Sequence, residues 1–136
     1  MTETERTRKI EKLLRRLKRG YKRSRKHGRG RYGFYIYLEE IYSVVAKWRE
    51  IPGMATKMRN AIADYAKISN THVFHVLITA TSNEPMRQKS RWGQALRYAW
   101  RFRKQRAHLS LEKFFRKNGG PAGCARNLGQ SIKPSV

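Results

Sequence analysis

Apolar residues recur along this chain at three- and four-residue steps, the period of helices that bury one face. Ile10, Leu13, Leu14, Leu17 and Tyr21 form the first such stripe, in a helix expected from about Thr4 to Lys26. Gly28, Gly30 and Gly33 then break it. Leu38, Ile41, Tyr42, Val45 and Trp48 mark a second helix, halted by Ile51-Pro52-Gly53. A third covers about Met54 to Lys67, with Met58, Ala61, Ile62 and Tyr65 facing inward. Residues 71–80 are ambiguous. Their β-branched content suits a strand, whereas Val73, Phe74, Val76, Leu77 and Ala80 share one helical face. Helix is preferred, because no other segment offers a convincing strand partner.

After the break at Ser82-Asn83-Glu84-Pro85, a helix from about Lys89 to Arg106 turns Trp92, Ala95, Leu96, Ala99 and Phe102 one way. A short helix follows at Leu109, Leu111, Phe114 and Phe115, capped by Asn118-Gly119-Gly120. Pro121 opens a short turn through Cys124 and Leu128, and residues 130–136 read as a frayed tail. The expected fold is all-α: a small bundle of about five to six helices with a basic N-terminal helical arm. Residues 1–33 form the arm and a Gly-rich linker. Residues 34–129 form the helical core, which includes the Arg-rich helix 89–106.

Charge sharpens this picture. Among 136 residues, 32 are Lys or Arg and 9 are Asp or Glu, a net charge of +23. Self-repulsion of that size weakens a compact state and implies a polyanionic partner. Residues 1–33 hold 14 basic and 3 acidic residues, residues 34–86 hold 5 of each, and residues 87–136 hold 13 and 1. A neutral middle able to pack as a core is therefore flanked by two basic ends.

The expected phosphate contacts are Arg15, Arg16, Lys18, Arg19, Lys22, Arg23, Arg25 and Lys26 in the arm, and Arg87, Lys89, Arg91, Arg97, Arg101, Arg103 and Lys104 in the basic helix. Arginine suits phosphate because its planar fork can bind two oxygens. Trp100 falls off the apolar stripe and is a candidate for base stacking or for supporting an arginine. The aromatics Tyr32, Phe34, Tyr35 and Tyr37 could also stack on bases, although core packing accounts for them more simply.

The segment Ile62-Ala63-Asp64-Tyr65-Ala66-Lys67-Ile68-Ser69-Asn70-Thr71-His72-Val73-Phe74-His75-Val76-Leu77 resembles the helix-turn-helix of lactose-repressor-type regulators. The resemblance covers about 16 of the 136 residues. In that family an apolar-Ala-x-x-Ala pattern forms the first helix and an apolar-Ser pair follows the turn. Ala66 is small where two helices cross, Ile68 fills the gap between them, and Ser69 can cap the second helix. The resemblance implies that Asn70, Thr71, His72 and His75 face the major groove, where Asn can read adenine. This chain has Lys67 at the turn, where the family has glycine. Two further stretches, residues 90–99 and 115–126, are similar to small basic proteins of bacterial phages and plasmids, which implies a mobile-element origin.

Catalytic equipment is sparse. Glu3, Glu5 and Glu11 lie in the arm, Glu39 and Glu40 are adjacent, and Asp64 and Glu84 stand apart, so no carboxylate pair has the spacing of a metal-dependent nuclease. His72 and His75 could share a metal from one helix, but no nearby Cys or acid completes the set. The expectation is a non-enzymatic protein with no metal and no cofactor. A lone cysteine, Cys124, excludes an internal disulfide framework and fits a reducing compartment. With no secretory signal and no apolar run of ~20 residues, a cytoplasmic, nucleoid-associated location without membrane is expected.

Nucleic acid is the expected partner, with DNA favoured over RNA and duplex DNA bound through phosphates. Two alternatives remain open at this point: inhibition or capture of an acidic or nucleic-acid-binding protein surface, and binding to structured RNA or the ribosome. The oligomeric state, including a homodimer, also stays open.

Overall fold

A computed structural model of the chain describes residues 2–27, 34–103 and 110–132. Among these residues the secondary structure is helical throughout: α1 (Glu3–His27), α2 (Tyr35–Arg49), α3 (Met54–Ala66), α4 (Val73–Thr81), α5 (Met86–Arg103), α6 (Leu111–Lys117) and α7 (Gly120–Ile132). The protein is therefore all-α, as its periodicity implied. Seven helices replace the expected five to six because residues 120–132 form a full helix and not a short turn. Residues 130–132, expected to fray, belong to that helix.

The helices gather into two compact units, residues 1–83 and 84–136. This grouping divides the chain at a different place from the expected boundary after residue 33. Charge follows it evenly. Residues 1–83 hold 19 basic and 7 acidic residues, a net +12, and residues 84–136 hold 13 and 2, a net +11. Each unit must therefore fold against its own repulsion.

In the first unit, α4 packs on α1, α2 and α3, and α1 also packs along α2. The helix expected as an arm is thus one wall of this unit, and Ile10, Leu14, Leu17 and Tyr21 are its buried side. Thr2 starts it: its Oγ1 accepts the Glu5 amide at 3.2 Å, one half of a capping box. Glu3 and Glu5 complement the positive end of the helix dipole. Tyr21 stacks edge-on against Tyr37, with ring centroids 5.3 Å apart, so the aromatics leading into α2 are core. Tyr32 lies outside the described residues.

The helical reading of residues 71–80 holds from Val73 onward. Burial outweighs the strand propensity of this segment, because Val73, Phe74, Val76, Leu77 and Ile78 are all enclosed. At its end Thr81 Oγ1 donates to the Leu77 carbonyl at 2.7 Å and Ser82 Oγ to Ile78 at 2.8 Å. Thr81 has spent its single proton there, so Tyr37 Oη must be the donor in their buried 2.5 Å contact. One inward assignment in α3 is corrected: Tyr65 is exposed, and its hydroxyl donates to Glu11 Oε1 at 3.1 Å, while Ile62 and Ala63 fill the interior.

In the second unit α5 packs on α7 and α6, and α6 on α7. Trp92, Ala95, Leu96 and Ala99 form the buried side of α5, as expected, while Phe102 is only half-buried and lies 4.5 Å from Tyr98 between ring centroids. Ser110 caps α6 by accepting the Lys113 amide.

Leu17 is fully buried at the centre of the α1 stripe. Leu17→Ala is expected to lower unfolding stability by about 2–5 kcal/mol, measured by urea titration of the whole chain.

Candidate nucleic-acid interface

A concave basic surface lies on α1. Lys9, Lys12, Arg16, Arg19 and Arg23 step along one face at alternating three- and four-residue intervals. With Leu13, Gly20 and Glu40 they line a groove of about 590 Å³. All five cations are exposed, and none has an ion-pair or hydrogen-bond partner among the described residues. From Lys9 to Arg23 the row covers roughly 21 Å of helix at 1.5 Å per residue. It is held outward because the opposite side of the same helix is buried.

The expected phosphate contacts in α1 all reach the surface, but they divide. Arg16, Arg19 and Arg23 enter the groove, whereas Arg15, Lys18, Lys22, Arg25 and Lys26 are exposed outside its lining. Lys9, Lys12 and Glu40 were not among the expected residues. The cations could have been found by their three- and four-residue steps, offset from the apolar stripe. Gly20 was the signal for Glu40. Glycine inside a helix costs about 1 kcal/mol relative to alanine, so it calls for a local cause. A Cβ at residue 20 would stand 3.0 Å from Glu40 Oε2, so the bare backbone makes room for that carboxylate.

On α5, Arg87 and Arg101 are exposed, and Lys89, Arg91 and Arg97 are half-buried. Arg97 and Arg101 lie one turn apart on the side away from Trp92 and Ala99, and Arg101 Cζ sits 5.5 Å from the Phe102 ring centroid. Trp100 is half-buried and already engaged within the chain. The Arg103 side chain and Lys104 lie outside the described residues.

The residues expected to read bases have a different setting. His72, not Ser69, is the N-cap of α4, its Nδ1 accepting the Phe74 amide at 3.3 Å. Of Asn70, Thr71, His72 and His75, only His75 lies within α4 itself. Asn70 donates to Asn60 Oδ1 at 2.7 Å and, with Asp64 and Lys67, lines a hollow of about 360 Å³. A carboxylate there disfavours an approaching phosphate. The buried faces of α4 hold apolar side chains, and His75 and Thr79 are half-exposed between them.

The turn before α4 is nevertheless well made. The Ile68 amide donates to Ala63 and the Lys67 amide to Asp64, the paired bonds of a Schellman motif. Lys67 adopts the left-handed conformation, φ 55°, that glycine usually supplies.

Among the described residues no group of three His, Cys, Asp or Glu side chains is placed to hold a metal. Cys124 is fully enclosed, and burial pushes its thiol up to about 12 from an ordinary 9.0. No described helix is long and apolar enough to cross a membrane. No family model matches the chain, and no curated protein and no solved structure matches it.

Two outcomes follow from these local structures. Lys67→Gly is expected to raise stability by about 0.5–1 kcal/mol in thermal melts, since relief of left-handed strain exceeds the added freedom of the unfolded chain. For Cys124 the raised thiol value stabilises the fold fully below pH 9, and that contribution falls away between about pH 9 and 12. At pH 8 iodoacetamide is expected to label Cys124 only as fast as the second unit opens, and denaturant should accelerate labelling.

Proposed function

We propose that this chain is a non-enzymatic nucleic-acid-binding protein that holds duplex DNA through its phosphates. The observation that carries the reading is the row Lys9, Lys12, Arg16, Arg19 and Arg23, an exposed cationic groove on a helix fixed in place by its opposite face. Arg87, Arg97 and Arg101 on α5 supply a second basic face. The two units belong to one chain, so contacts made by one raise the effective concentration of the other at the same polyanion. Reading of base sequence by Asn70, Thr71, His72 and His75 is not part of this proposal, because three of the four precede α4 and Asn70 is already bonded.

The phosphate mechanism fixes a salt dependence. About eight contacts give a slope of roughly −7 in log affinity against log salt, a loss of ~10³–10⁵-fold between 50 and 200 mM. Fluorescence anisotropy with a labelled duplex is expected to show this slope. Replacing Arg16, Arg19 and Arg23 together by Gln should reduce it by about 2–3. A flat response in the wild-type chain would overturn the reading and favour a protein target, while preference for RNA over duplex DNA in competition would favour the structured-RNA alternative.

A further inference from the structure

Glu40 is the feature that a simple phosphate groove does not need. It brings a negative charge among five cations whose task is to attract anions. Its carboxylate lies over Gly20, where α1 carries no side chain, and it has no hydrogen-bond or ion-pair partner among the described residues. Glu40 is half-buried, recessed between α1 and α2, while the cations around it are exposed. A carboxylate only accepts hydrogen bonds. In a nucleic acid the groups that can donate to it are the amino and ring N–H groups of bases, such as the N4 amino group of cytosine, and in RNA the 2′-hydroxyl.

We propose that the α1–α2 groove takes an unpaired strand of nucleic acid, with backbone phosphates along the cationic row and the exocyclic amino group of one base bonded to Glu40. This rests on the nucleic-acid reading of α1 and adds selectivity to it. Size excludes a paired base. Glu40 sits in the cleft between two helices, each about 10 Å across with side chains, whereas the DNA major groove is about 12 Å wide and admits one helix. A duplex can lie against the outer cations, but its base edges do not reach the cleft. A splayed base does, as in other single-strand recognition. The groove, at about 590 Å³, lies within the range of pockets that enclose ligand-sized groups. Cytosine is preferred over thymine, because the thymine N3–H lies between two carbonyl oxygens that repel a carboxylate.

The test compares 15-nucleotide oligo-dC and oligo-dT by anisotropy at pH 7.5 and fixed salt, using the full chain. The wild-type protein is expected to prefer oligo-dC by at least about fivefold, the lower end of a good base contact. Glu40→Gln removes the charge and Glu40→Asp keeps it but withdraws the acceptor. Both are expected to lose the preference, with Glu40→Gln binding both oligomers more tightly because its charge no longer repels phosphate. Equal affinity of the wild-type chain for the two oligomers would overturn the proposal while leaving the phosphate reading intact. So would retention of the preference by both variants, since Glu40 would then only repel phosphate. Failure to bind either oligomer or a duplex at low salt would overturn the phosphate reading itself.

Discussion

Like charges crowd α1 from Lys9 to Lys26, and their repulsion is contained by what the other side of that helix buries. Neighbouring like charges one turn apart destabilise a helix by about 0.2–0.5 kcal/mol per pair, which sums to several kcal/mol here. Ile10, Leu14, Leu17 and Tyr21 oppose this with about 1.5–3 kcal/mol each from burial. The apolar side wins, and its victory fixes the rotation of the helix. The cations have no freedom to face inward, so they become a permanent external row. The groove is thus a by-product of how the first unit folds, and α4, packed against three neighbours, is the partner that makes it so.

Much of this architecture was legible from spacing. The stripes of α1 and α5, the stop at Pro52-Gly53 and the break before Pro85 all lie where the hydrophobic period and the turn residues put them. Two features were not legible. Helix α7 is rich in Gly and carries few large apolar residues, so its period rests on Cys124 and Leu128 alone. Its helical form comes from packing on α5, a long-range effect that no local pattern encodes. The grouping into two units was hidden for a related reason. Charge suggested a neutral core with basic ends, but α1 joins the neutral segment through its apolar side, which a sum over charges cannot register.

The groove on α1 was legible in outline and not in its lining. Charge density pointed to α1 but favoured Arg15 to Lys26 as a block, whereas the helix sorts alternate cations onto different faces and reaches back to Lys9 and Lys12. The resemblance of residues 62–77 to a helix-turn-helix located a real helical hairpin, down to a left-handed residue at its turn. It did not predict how strongly α4 would be enclosed. Helix α4 packs on α1, α2 and α3, and most of its side chains are buried.

The length of the α1 row has a further meaning. A rigid helix with cations fixed over roughly 21 Å acts as a ruler. A duplex advances about 3.4 Å along its axis per base pair, so the row has the axial length of about six base pairs. That length would set the footprint of the row on the proposed ligand. If the row binds a duplex as proposed, fragments shorter than about six base pairs leave part of the ruler unread, and the row by itself accounts for a countable length of polymer.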